Sequence, residues 1–403
     1  HTANYRGRPL HILYLHRTQG HGVEAVHIWG IANGLKNLGH DVMVVSPAGA
    51  HREQPRRAES KAAESKRPLF TFISKHTPEI VFELAEIAYN FFAWRGLKKS
   101  VADRNVECLY ERYAIFAVAG ALFARRRRIP LLLEVNYTSM SPLVRKRSRL
   151  LLPLARRVDA WLFRSATAIV VVSSYLRDQL ATEYGVPPDK ILVVPNAADP
   201  QTFHPAIAPV AEIGGVVLAH KKIIGFVGSF TPWHGLSLFV DAFKLVAKNH
   251  PDAFAVLVGD GPQRKEIERQ VAAYGLAERV LFTGNIGHDQ LMHYVATFSI
   301  GVMPDSNEYG SPMKIFEYMA LGKPVVVPDY GPLRDAVTDG CEGKIFRRKD
   351  AQALASCIDA YLSDPGALAE AGKKARASVA TKFNWQANAE RSLNFVISKA
   401  KSH

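Results

Sequence analysis

Short apolar runs alternate with stretches of helical spacing along the chain, and the alternation occurs in two series. In the first, residues 10–15 read as a buried strand and residues 18–22 as a loop. Residues 23–38 read as a helix with Val26, Trp29, Ala32, Leu35 and Leu38 on its apolar face. Gly39 ends that helix, and residues 42–45 form the next strand. This βαβ opening predicts a parallel sheet. Further strands are expected at residues 108–110, 131–135, 168–172 and 191–194. The second series places strands at 223–227, 255–258, 280–282, 299–303 and 325–327, with helices at 236–248, 263–274, 290–297 and 313–321. A Pro- and Ala-rich stretch at 199–219 separates the two series. The expectation is an α/β protein with two doubly wound, Rossmann-like domains facing a cleft. Residues 1–203 would form one domain and 204–383 the other, with a last helix at 384–403 packing back on the first. Ligands of such sheets bind beyond the carboxyl ends of the strands, so chemistry is expected in the strand-to-helix loops.

Composition narrows the class. Hydrophobic residues make up 48% and charged residues 22%, which excludes a disordered or fibrous chain. No apolar run is long enough to span a bilayer, and residues 1–4 show no leader pattern. Cys108, Cys341 and Cys357 are far apart, which excludes a disulfide scaffold and a cysteine zinc site and fits a reducing compartment. Charge is uneven. Residues 1–203 hold 29 Lys/Arg against 17 Asp/Glu, whereas residues 204–403 hold 22 against 20. The first half therefore faces something anionic.

The strongest chemical signal is PDSNEYGSPMKIFEYMALGKPVVV, residues 304–327. Ser311 is expected to cap the helix that follows, with Pro312 at its first position. The amides of Met313 and Lys314 would then lack intrahelical partners and face an anion at the helix end. Lys314 in the first turn opposes the helix dipole by about 0.3–1 kcal/mol, a penalty that a bound phosphate reverses. Glu317 lies one turn below Met313, where a carboxylate can accept both hydroxyls of a ribose. Gly20 and Gly22 flank a loop before a helix and are candidates for close backbone approach to a diphosphate or an acceptor. His234 is a candidate phosphate contact. No Asp-x-Asp pair and no His/Cys cluster of ligand spacing occurs, so no obligatory metal or other cofactor is expected.

The segment SPMKIFEYMALGKPVVVP resembles the C-terminal signature of family 4 glycosyltransferases, which have the GT-B fold. FVGSFTPWHG at 226–235 resembles the first phosphate loop of their C-terminal domain. VGDGP at 258–262 and FTGNI at 282–286 resemble the next two loops, and VS at 172–173 with VPNAAD at 194–199 the interdomain crossing. The resemblance implies a retaining hexosyltransferase that takes a nucleotide-sugar donor. It implies donor contacts from Gly228, Ser229, His234, Ser311, Pro312, Met313, Lys314 and Glu317, and from the backbone of Ile286 near the base. Three positions depart from the family. Its first glutamate corresponds to Tyr309, with Glu308 one residue away. Ser229 and His234 stand where Arg and Lys are frequent, and Asn136 stands in the slot of an N-terminal-domain histidine. Asn136, Glu308 and Lys314 are the expected catalytic positions. Family frequency favours a UDP-sugar, with GDP-mannose as the rival.

The basic half carries its own patches. Arg125, Arg126, Arg127 and Arg128 form one run, and Arg145, Lys146, Arg147 and Arg149 interleave with leucines nearby. Phe91, Phe92, Trp94, Lys98 and Lys99 add an aromatic and basic group. Cations beside apolar residues suit an anionic bilayer, and no nucleic-acid motif is present. The expected setting is peripheral, at the cytoplasmic face of the membrane, with a glycan or lipid-linked acceptor. Three alternatives remain open at this level: a soluble small-molecule glycosyltransferase, a nucleotide-sugar epimerase on the same fold, and a non-catalytic nucleotide-sugar-binding subunit.

Overall fold

The structure is a computed structural model and describes residues 8–18, 22–46, 79–101, 105–141 and 151–401. Gly20, Arg145, Lys146, Arg147 and Arg149 lie outside the described residues, as does the polar stretch 51–67. The chain divides into two compact units. One comprises His1–Val172, Leu176–Val194 and Asn388–His403, and the other Ser173–Tyr175 and Pro195–Ala387. The division at 194/195 lies within the interdomain crossing segment, ahead of the expected 203/204.

The first unit is built on a parallel sheet of six strands in the order β2-β1-β3-β4-β5-β6. These are β1 (His11–Leu15), β2 (Asp41–Val45), β3 (Cys108–Arg112), β4 (Leu131–Val135), β5 (Ala168–Val171) and β6 (Ile191–Val193). Helices cover both faces, so the strands read as continuous apolar runs; β4 is buried at every position although it contains Glu134. The order reverses direction between β1 and β3, which makes their carboxyl ends the expected crevice. The helix Trp385–Ala400 ends in this unit, with Lys399 bonded to Asp189 at 2.8 Å.

The second unit starts with a two-stranded ribbon, β7 (Glu212–Ile213) and β8 (Val216–Val217). It continues with β9 (Lys222–Val227), β10 (Ala253–Val258), β11 (Val280–Gly284), β12 (Ile300–Val302), β13 (Val325–Pro328) and β14 (Gly343–Phe346). These six form a parallel sheet in the order β11-β10-β9-β12-β13-β14. The crossover falls between β9 and β12, which pair through Ile224 with Ile300 and Gly225 with Gly301. Alternate residues of β9 feed two cores. Ile224 and Phe226 join Phe230, Phe239 and Phe243 on one face, while Ile223 joins Phe298, Phe316 and Tyr318 on the other. Each fully buried aromatic contributes about 1.5–3 kcal/mol of transfer free energy. Two glycines let aromatic rings lie close on the sheet: a Cβ on Gly225 would sit 2.2 Å from the Phe298 ring, and one on Gly301 would sit 2.3 Å from Tyr318 of the helix Met313–Ala320.

Candidate functional site

In the second unit the loops after β9, β10 and β11 converge with the helix Met313–Ala320 at the crossover. Gly228 follows β9 with φ +152°, and its N–H donates to the Val258 carbonyl at 2.9 Å. Gly259 follows β10 with φ +135°, and its N–H donates to Gly284 at 3.0 Å. A Cβ on Gly259 would lie 2.0 Å from the Gly228 carbonyl, and one on Gly228 would lie 2.6 Å from the Lys314 Nζ. Only glycine brings these loops together, and only glycine leaves room for the Lys314 ammonium over the first of them.

The helix Met313–Ala320 aims its amino end at this cluster. Tyr318 fixes its position: the ring lies on Gly301, and the hydroxyl accepts the Val227 N–H at 2.7 Å. Ser311 does not cap the helix. Pro312 occupies the N-cap and no side chain caps the end, because the Ser311 hydroxyl accepts the Asn196 N–H at 3.0 Å. The Asn196 amide also donates to the Ser311 carbonyl at 2.6 Å. These two hydrogen bonds hold the loop so that the first-turn amides, beginning at Met313, remain without intrahelical partners. Glu317 is buried one turn below.

Lys314 gives the helix end its electrostatics. Its Nζ lies 4.6 Å from the Phe226 ring centroid and 3.2 Å from His234 Nε2. Burial pushes the ammonium down to about 7, against a smaller upward pull from Glu317. His234 lies in a one-turn segment, Pro232–His234, ahead of the next helix. Burial, with the charge of Lys314 beside it, pushes its imidazole down to about 4. His234 is therefore neutral at pH 7. Its Nδ1 carries the proton and donates to the Ser229 carbonyl, which leaves the Nε2 lone pair to accept from Lys314. The arrangement is a cationic and amide-rich surface, suited to the oxygens of a diphosphate.

The other residues expected here are placed as follows. Ser229 is exposed beside His234, with its hydroxyl 3.5 Å from Nδ1. Ile286 follows β11 and packs partly against the core. Glu308 is about half exposed and bonded to Arg348 at 2.7 Å, so the structure does not bring its carboxylate to the Lys314–His234 pair. The loop around it turns on Asn307, whose side-chain oxygen accepts the N–H groups of Tyr309 and Gly310 at 3.1 and 2.6 Å. Asn196, Gly259 and Tyr318 carry no expected role in the sequence reading. Asn196 was legible only as part of the VPNAAD segment.

In the first unit, Gly22 begins the helix Gly22–Asn37. Asn136 follows β4, and its amide nitrogen donates to Glu134 Oε1 at 2.7 Å. Its oxygen is enclosed and has no hydrogen-bond partner among the described residues. Glu134 is the centre of a buried network that sequence reasoning missed. Arg112 Nη1 lies 2.5 Å and His27 Nε2 2.9 Å from Oε1, and the Tyr110 hydroxyl donates to Oε2 at 2.8 Å. Burial alone raises its pKa, but His27 and Arg112 more than offset this and hold the carboxyl well below the usual range. The loop after Asn136 is tied down by Ser139 N–H to Asp159 at 3.0 Å. Nearby, Glu111 at the end of β3 is pushed up to about 8 by burial, and its Oε2 has no partner among the described residues. It borders a cavity of about 10 Å³ with His16, Arg17, Tyr89 and Asn90, room for about one water. Arg125, Arg126, Arg127 and Arg128 are exposed at the end of the helix Ala119–Arg127.

Residues 216–378 match the family described as "Glycosyl transferases group 1", and residues 22–202 match "Glycosyltransferase Family 4". The chain is 29% identical over 275 residues to the 2-deoxystreptamine glucosyltransferase of Streptomyces kanamyceticus, covering 66% of this chain and 70% of the relative. It is 26% identical over 250 residues to the GDP-mannose-dependent alpha-(1-6)-phosphatidylinositol monomannoside mannosyltransferase of Mycolicibacterium smegmatis, covering 60% of this chain and 65% of that one. In fold it is similar to HepE of Anabaena, solved in complex with UDP, with a TM-score of 0.70 and 20% identity over 96% of this chain and all of that one.

Proposed function

The chain belongs to family 4 of the glycosyltransferases and has the GT-B fold, and from that premise we propose a retaining transfer from a nucleotide-sugar donor. The acceptor in this reading is a glycan or lipid-linked hydroxyl at the cytoplasmic face of the membrane. The observation that carries the donor assignment is the Lys314–His234 pair beside Gly228 at the amino end of the helix Met313–Ala320. A half-buried ammonium beside the first-turn amides of this helix suits the oxygens of a diphosphate. Glu317 would take the ribose hydroxyls one turn below. The acceptor oxygen attacks the anomeric carbon as its bond to the diphosphate breaks. The acceptor proton passes to the departing phosphate oxygen on the same face, so configuration is retained and no protein nucleophile is needed. The charge of the leaving diphosphate is met by Lys314 and the amides, in keeping with a reaction that needs no metal.

A UDP-sugar is the favoured donor. HepE was solved with UDP, while the Mycolicibacterium relative is named for GDP-mannose, which keeps the guanine nucleotide as the rival. No helix among the described residues is long and apolar enough to cross a membrane.

A thermal-shift panel with UDP, GDP, ADP and dTDP, run on wild type and Glu317→Ala, tests the donor assignment. A ligand at a hundred times its Kd adds about 2.7 kcal/mol to the native state. One diphosphate is expected to stabilise wild type and not the variant. Equal stabilisation of both proteins would remove Glu317 from the site, and no shift with any diphosphate, with or without acceptor vesicles, would overturn the transferase reading.

A further inference from the structure

The helix Glu79–Ser100 is built inside out. Its carboxylates Glu83 and Glu86 are buried, and Glu86 pairs with Arg17 at 2.8 Å. Four of its large apolar side chains turn the other way, Val81, Leu84, Phe91 and Phe92 being 50–63% exposed, while Leu97 is buried. Val81, Leu84, Ala88, Phe91, Phe92, Arg95 and Lys99 recur at steps of three or four and share one face. Burying a carboxylate is costly even when it is paired, and exposing adjacent phenylalanines to water forfeits their transfer free energy. A helix free to choose would rotate.

Contacts on the inner side prevent the rotation. The Asn90 side chain accepts the N–H groups of Val118 and Ala119 at 2.8 and 3.0 Å and donates to the Phe116 carbonyl at 2.7 Å. The Trp94 ring meets Phe123 edge-on at 6.0 Å, and the Tyr89 hydroxyl donates to the His16 carbonyl at 3.3 Å. The outward face is therefore held outward, and a fixed apolar face of this kind marks an interaction surface.

Charge identifies the occupant. Glu79 is exposed at the first position of the helix; beyond it no carboxylate up to residue 99 is exposed, while Arg95, Lys98 and Lys99 are. Leu122, Arg125 and Arg126 are exposed on the neighbouring helix Ala119–Arg127 and continue the same composition. A nucleic-acid face distributes cations along its length to follow phosphates. Here the cations gather at one end and the rest is apolar, which is the composition of a helix lying in a lipid interface. We propose that this face docks on an anionic bilayer, with Leu84, Phe91 and Phe92 entering the acyl boundary and Arg95, Lys98 and Lys99 meeting headgroup phosphates. The proposal deepens the membrane-face reading above and rests on it only for where the acceptor lies.

The test is flotation of the full chain with phosphatidylcholine vesicles, with or without phosphatidylglycerol, comparing wild type with Phe91→Ser/Phe92→Ser and with Lys98→Glu/Lys99→Glu. Circular dichroism and the UDP thermal shift serve as controls for folding and for the donor site. Wild type is expected to float with the phosphatidylglycerol vesicles, and each double variant to lose about tenfold or more in partitioning while keeping its fold. Residual binding of the serine variant should be salt-sensitive and that of the glutamate variant salt-insensitive. Wild type that stays in solution with phosphatidylglycerol at low salt would overturn the proposal. So would variants that bind as wild type does, or a wild-type dimer that the serine variant converts to monomer, since a second copy would then be the occupant. Vesicle binding without any UDP shift would sink the donor assignment and leave the docking surface standing.

Discussion

The two units carry the same kind of six-stranded parallel sheet, yet the carboxyl ends of the strands are finished in opposite ways. In the second unit the end of β9 meets backbone amides, a neutral His234 and a Lys314 that burial makes reluctant to charge. In the first unit the ends of β3 and β4 are neutralised internally, with Glu134 satisfied by Arg112, His27, Tyr110 and Asn136. One edge presents donors and a cation; the other is largely paired within itself, with the Asn136 oxygen and Glu111 Oε2 among its atoms that have no partner among the described residues. An edge of the first kind spends ligand binding energy on charge. An edge of the second kind is preorganised, and suits a neutral hydroxyl-bearing group.

The comparison can be broken most directly at Glu134. Glu134→Ala leaves Arg112 enclosed without its counter-charge and His27 without its partner, and a loss of roughly 3–5 kcal/mol is expected in urea unfolding at pH 7. A loss within about 0.5 kcal/mol would mean that this edge is not electrostatically closed. Glu111 sharpens the same point with pH. Its folded pKa is raised, so its charging penalises the native state as pH climbs from the ordinary carboxylate value towards about 8. Glu111→Gln should match wild type near pH 4 and be more stable at pH 9, by on the order of a few kcal/mol. A variant whose stability relative to wild type is the same at pH 9 as at pH 4 would remove the unpartnered carboxyl from the picture.

The open edge is tested by calorimetry. Lys314→Ala should weaken nucleoside diphosphate binding by about 1.5–3 kcal/mol and leave the nucleoside almost unaffected. Equal losses for both would make Lys314 structural. Because the free-state pKa of Lys314 is depressed to about 7 and an anion favours its charged form, diphosphate binding above pH 7 must take up a proton. Wild-type affinity should therefore fall by up to about tenfold per pH unit above 7, and the slope should vanish in Lys314→Ala. The smallest effect belongs to Glu308→Gln. Its ion pair with Arg348 is largely solvated and worth about 0–1 kcal/mol in stability. A matching small change in turnover would exclude Glu308 from the chemistry, whereas a fall of about a hundredfold or more would return it there.

Both sheets were legible because strands covered on two faces leave apolar runs, and the strands of the second unit lie within two residues of their expected ends. The exceptions are β14, where Lys344 interrupts a four-residue strand, and the ribbon of β7 and β8, which lies in the stretch read as a separator. The helix carrying Lys314 and Glu317 was legible because one short segment contains both. The rest required the fold. His27, Arg112 and Glu134 are far apart in sequence, and only the parallel register of β3 with β4, which sets Arg112 opposite Glu134, makes them neighbours. Ser311 reads locally as a cap until Asn196, over a hundred residues earlier, claims its hydroxyl. The helix Glu79–Ser100 has apolar residues on several sides, so its pattern does not say which side faces inward.

The Tyr318 ring resting on Gly301 has a consequence in dimensions. The gap between the β9 loop and the helix end is a spacing set by what is missing, since a hydrogen stands at Gly301 where a methyl would push the ring away. Gly301→Ala would act as a shim: it would lift Tyr318 from Val227 N–H and tilt the helix end off its seat. The site would widen with every one of its polar groups still present. The gauge of this pocket is thus written in the sheet beneath it, at a residue that no ligand touches.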